Sequence, residues 1–191
     1  MIDAFSGPPD HDHGDLEVEV VMIIWLNGPF GVGKTTVAAR LVDRLPHSAM
    51  VNPERLGWVL RRTVGAFRPG DYQDLTLWRA GTVRLTSRRA RTAGTVVVPM
   101  TVLRPDHLDE ILGGLRSDGH RVHHVLLDAA PEVLRRRIAA ERDDPAAGPW
   151  RHRHVETYLA ARPDLSRRGP VIATDHLGQD EIADAVATTV A

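Results

Sequence analysis

Residues 20–36, VVMIIWLNGPFGVGKTT, constrain this chain more than any other stretch: an apolar run breaks into a glycine-rich turn and then into a helical pattern. The spacing G-x-x-x-x-G-K-[ST] is met at Gly28, Gly33, Lys34 and Thr35, in the strand–loop–helix setting that gives the pattern its meaning. Glycines let successive backbone N–H groups curl inward, and the following helix N-terminus adds its dipole, so the turn suits phosphate oxygens. Gly28, Pro29, Phe30, Gly31, Val32, Gly33, Lys34, Thr35 and Thr36 are read as a cradle for phosphates. Lys34 would reach the β- and γ-phosphates, and the Thr35 hydroxyl would ligate Mg²⁺. Of the 24 basic residues, Lys34 is the only lysine. A chain that otherwise uses arginine keeps its one compact ammonium where a point charge is wanted.

The 191 residues suffice for one well-buried core. A net charge of -1 gives no general field toward nucleic acid or anionic lipid. Having no cysteine excludes disulfides and thiolate chemistry, and fits a reducing cytoplasm. No apolar run is long enough to span a bilayer, so no integral membrane segment is expected. Residues 1–16, rich in Gly, Pro, Asp and His, read as a disordered tail, and residues 17–191 as a single domain.

Strands are expected at 17–26, 48–51, 95–100, 121–127 and 171–174. Helices are expected at 34–45, 53–62, 72–91, 105–117, 131–142, 150–161 and 179–190, with a loop at 65–72. This alternation indicates an α/β fold with a parallel sheet and right-handed crossovers. TVVVPM at 95–100 is apolar enough to be buried on both faces.

In such folds ligands sit beyond the carboxyl ends of the strands. The second strand is followed by Asn52, Pro53 and Glu54. Asn52 cannot be a base and is read as a substrate contact. Glu54 is the nearest carboxylate for activating a hydroxyl, or simply a first-turn acid favoured by the helix dipole. After the third strand Thr101 faces substrate or an Mg²⁺-bound water, or is an ordinary strand-end polar residue. Asp128, after the fourth, is read as a turn acid in preference to a metal neighbour. Asp71 is a second candidate base. Trp78 and Arg79 are candidates for the substrate side, Arg79 as a planar fork for an anionic or polar group. Trp58, Phe67, Tyr72 and Trp78 are weighed as an apolar pocket or as core. Arginines 135–137, Arg142, Arg151 and Arg153 flank a breaker-rich loop, which reads as a lid near 143–153. Arg142 and Arg153 are the preferred lid residues, neutralising charge in phosphoryl transfer.

The stretches IIWLNGPFGVGKTT, VNPERLGWVLR, DYQDLTLWR and VVVPMTVLRPDHLDEI together resemble the tunicamycin-resistance ATP-binding proteins, a branch of the shikimate- and gluconate-kinase-like phosphate-loop fold. The resemblance implies a three-layer P-loop kinase fold with a five-stranded parallel sheet ordered 2-3-1-4-5. It also implies ATP and Mg²⁺ at residues 28–36 and a role against a nucleoside-type antibiotic. One departure is Asn52, where the family pattern has Asp. The functional expectation is phosphoryl transfer from MgATP to a small-molecule hydroxyl; the alternative is ATP-dependent sequestration of an antibiotic without transfer.

Overall fold

A computed structural model describes residues 21–63, 71–141 and 148–191. Five strands, β1 (Met22–Asn27), β2 (Ser48–Met50), β3 (Thr95–Pro99), β4 (Arg121–Asp128) and β5 (Val171–Ala173), form one parallel sheet ordered β2-β3-β1-β4-β5. Met22 pairs in register with Thr95 on one side and Arg121 on the other, so β1 is the central strand. Ile23, Ile24, Trp25 and Leu26 are wholly buried, and every residue of β3 is buried. A strand covered on both faces has no side left for water, hence the unbroken apolar runs.

The helices are α1 (Lys34–Arg44), α2 (Glu54–Thr63), α3 (Thr76–Ala90), α4 (Pro105–Ser117), α5 (Pro131–Ala140), α6 (Gly148–Ser166) and α7 (Gln179–Val190). The crossover from β1 to β2 runs one way along the sheet, and that from β3 to β4 runs the other. Right-handed crossovers therefore put α1 and α4 on opposite faces. The contacts agree: α7 packs on α1, while α3 and α6 pack on α4. Beyond the carboxyl end of β1 the chain leaves for one face, and beyond β3 for the other, which opens the crevice where such sheets bind ligands.

Several boundaries differ from the sequence reading. The first strand starts at Met22; the tail at 1–16 and residues 17–20 lie outside the described residues. The single helix expected at 72–91 is two elements, a 3-10 turn (Tyr72–Asp74) and α3, separated by an extended Leu75. The Asp71 carboxylate accepts from the Gln73 N–H at 3.0 Å, and Arg79 Nη1 donates to the Gln73 carbonyl at 2.7 Å, so side chains terminate the first turn. α5 stops at Ala140, and α6 is longer than the expected 150–161, running through Pro163. Among the described residues no helix is long and apolar enough to cross a membrane.

Candidate active site

Three glycines set the loop after β1: Gly28, Gly31 and Gly33 have φ of 141°, 78° and 95°. At Gly28 an added Cβ would lie 2.4 Å from the Leu127 carbonyl oxygen, so no other residue fits against β4. The loop is also tied down from below. Asn27, fully buried at the end of β1, accepts from the N–H of Gly28 at 2.8 Å and of Val102 at 3.0 Å, and donates to the Val102 carbonyl at 2.9 Å. The Thr101 hydroxyl donates to the Gly28 carbonyl at 2.8 Å. The connection after β3 thus holds the start of the loop rigid.

Lys34 opens α1 and is only 9% exposed. Its Nζ donates to the carbonyls of Gly28 at 3.0 Å and Pro29 at 2.8 Å, and stands 5.6 Å from the centre of the Phe30 ring. Burial pushes its pKa down to about 8, against the opposing pull of the Glu54 and Glu141 carboxylates.

Among the described residues, two cavities adjoin the loop. The larger, about 670 Å³, lies over it and is bordered by Gly31, Gly33, Lys34, Thr35 and Thr36, with Asn52, Arg137, Glu141, Arg151 and Gln179 around them. Gly28, Pro29 and Val32 are buried beneath. The smaller, about 290 Å³, lies on the β3 side among Tyr72, Gln73, Met100, Thr101, His107 and Trp150. Phe30 and Glu54 border both. A phosphate chain over the loop and a molecule in the second cavity would therefore meet at Glu54. The donor set suits a Mg²⁺-triphosphate: a desolvated ammonium, a helix N-terminus, an exposed Thr35 hydroxyl and two arginines line one cavity.

The remaining predicted residues divide. Asn52 borders the phosphate cavity and uses its Oδ1 to accept the Glu54 N–H at 2.9 Å, an Asx turn that starts α2. Asp71 and Thr101 border the smaller cavity. Trp78 does not: it is fully buried and donates to the Pro53 carbonyl at 3.2 Å. Arg79 also faces elsewhere, paired to Glu110 at 2.6 Å and bonded to the Gln73 carbonyl. Of the weighed aromatics Tyr72 borders the cavity; Phe67 and the Trp58 side chain lie outside the described residues, as does Arg142. Arg153 is exposed and borders neither cavity.

Of the arginine cluster, Arg137 and Arg151 border the described phosphate cavity. Arg137 is held by the Thr174 hydroxyl and carbonyl at 3.0 and 2.7 Å, and Arg151 pairs with Glu141 at 2.5 Å. Gln179, whose amide lies against Gly33, was not foreseen at all. Asp128 is a buried anchor: it accepts the Tyr158 hydroxyl at 2.6 Å and pairs with Arg162, tying α6 to the end of β4. Burial and that bond push the Tyr158 phenol well above its usual range.

A central strand feeding a glycine cradle, a buried lysine on its helix and an adjoining pocket define a phosphate-loop α/β protein of kinase-like build. The AAA domain family model matches residues 23–164. The structure of the Deinococcus radiodurans tunicamycin resistance protein is 30% identical, with a TM-score of 0.70, over 89% of this chain and 95% of that one. The chain belongs to the AAA domain family and, with that relative, to the tunicamycin-resistance family of phosphate-loop proteins. A sugar kinase from a Janibacter species (18% identity, TM-score 0.65, 88% and 94% of the two chains) shares the fold. So does the shikimate kinase of Bacteroides thetaiotaomicron (18%, 0.59, 87% and 95%). None of the curated proteins compared matches the chain.

Proposed function

We propose that the chain binds MgATP over residues 28–36 and transfers a phosphoryl group to a hydroxyl of a small molecule in the smaller cavity. The observation that carries this reading is that the two cavities share the Glu54 and Phe30 walls. ATP supplies the phosphoryl group, with Mg²⁺ on the Thr35 hydroxyl. Lys34, Arg137 and Arg151 hold the negative charge of the phosphates, with Arg142 and Arg153 as further lid candidates. Glu54 takes the proton of the acceptor hydroxyl; Asp71, across the smaller cavity, is the second candidate. The relative named a tunicamycin resistance protein supports a nucleoside-type antibiotic as the first acceptor to try, and the cysteine-free composition suits a cytoplasmic place of action.

A second reading, sequestration without transfer, draws on Asn52: the residue after β2 is a carboxamide engaged in starting α2, with no basic oxygen to offer. The test is the intact mass of tunicamycin after incubation with protein and MgATP. A gain of one phosphate supports transfer; unchanged compound co-eluting with the protein supports sequestration. Neither change nor co-elution would remove tunicamycin as the ligand.

A further inference from the structure

The smaller cavity has a charge and a shape of its own, and they narrow what can occupy it. We propose that it takes a hydroxylated acceptor without net negative charge, one flat apolar face laid on Phe30 and Trp150. The proposal deepens the phosphoryl-transfer reading above and rests on it.

The apolar face is built from two separate elements. Phe30 of the phosphate loop and Trp150 of the first turn of α6 stand with ring centres 5.0 Å apart, and His154 lies 3.9 Å from Trp150 and edge-on to Phe30 at 5.8 Å. Trp150 is 43% exposed. An indole left to water at the rim of a cavity is an unfinished contact, and aromatic surfaces of this kind hold flat rings or the C–H face of a sugar.

The polar side is acidic. Among the described residues, Glu54, Asp71 and Asp74 border the cavity against one formal cation, Arg104. That cation is already engaged, at 2.7 Å to Asp106 and 3.4 Å to Asp74. The Arg104 bond pushes the Asp106 carboxyl down to about 2, so this counter-charge is always present. His107 adds no compensating charge: it is 6% exposed, and burial, reinforced by Arg79 and Arg104, lowers its pKa from the usual histidine value. The carboxylates accept from hydroxyl or ammonium donors and repel a carboxylate or phosphate. The cavity is therefore unsuited to anionic acceptors, and a carboxylate placed there should bind about ten-fold more weakly than its neutral counterpart, allowing for solvent screening of the acids.

The test is a series altered at one carbon: phenyl glucoside, phenyl glucuronide and the amino-sugar analogue of the glucoside, titrated with Mg²⁺ and AMPPNP present and followed by calorimetry and tryptophan quenching. The glucoside and its amino analogue should bind about ten-fold tighter than the glucuronide. In the D71N/D74N variant the ratio should shrink to about two-fold, since Asn keeps the turn at Gln73 while removing charge. AMPPNP affinity of the variant, measured alongside, verifies that it is folded. Glucuronide binding as tight as glucoside, a ratio untouched by the double substitution, or no binding of any member while AMPPNP binds would each overturn the proposal. Failure of AMPPNP itself to bind strikes the phosphoryl-transfer reading instead, and the sugar series is then judged by its own binding.

Discussion

Replacing Lys34 by Met should make the ligand-free protein more stable near neutral pH while abolishing nucleotide binding. The ammonium sits almost wholly buried with its pKa lowered to about 8 from 10.5. A displacement of that size corresponds to about 3 kcal/mol of preference against the charged form. The native chain holds this proton less tightly than the unfolded chain, so the full penalty is present below about pH 8 and fades between about pH 8 and 10.5. From about pH 7 to about pH 9 the wild type therefore gains on the order of 1 kcal/mol from Lys34 alone. Against this, Met loses the bonds to the Gly28 and Pro29 carbonyls, worth about 1 kcal/mol each. The net expectation is a variant about 1 kcal/mol more stable at pH 7, the advantage vanishing by about pH 9. Urea unfolding of both proteins at several pH values reads this directly. No other lysine titrates to blur the comparison. A stability difference independent of pH, or a variant less stable at pH 7, would refute the claim that the fold holds Lys34 under electrostatic strain.

Gly28→Ala should cost at least about 3 kcal/mol, or prevent folding, because the new Cβ meets the Leu127 carbonyl at φ 141°; thermal unfolding measures it. Asn27→Ala removes the ties to Gly28 and Val102 and leaves buried backbone groups unpaired, a loss of roughly 3–5 kcal/mol by denaturant unfolding. Glu54→Gln should lower phosphoryl transfer by about 10²- to 10⁴-fold while AMPPNP affinity stays within about three-fold, read by product formation and calorimetry. Glu141→Gln releases Arg151 from its 2.5 Å partner and should tighten AMPPNP binding about three-fold in a titration at low salt.

The sheet was legible because its signals are local. Unbroken apolar runs at 22–26 and 96–98 have one explanation, a strand covered on both faces, and the glycine spacing at 28–33 specifies its own backbone. The Asn27 clamp left a weaker trace: a polar residue closing an apolar strand, whose partner Val102 is far along the chain. Trp78 and Arg79 misled because helical spacing does not say which face a helix buries. Only the packing of α3 on α4 turns Arg79 toward Glu110. The arginines after residue 134 share one composition, and which of them reach the phosphate cavity depends on the angle of α5 against α6. Gln179 carries no local signal; it reaches the loop because β5 brings the start of α7 beside Gly33.

The central claim is that the loop after β1 holds a triphosphate with the help of Lys34. Titrating MgATP into the wild type and into Lys34→Ala by calorimetry tests it most directly. Saturable one-site heat in the wild type, lost in the variant, is the predicted result; silence in the wild type, or equal affinity in both proteins, would contradict it.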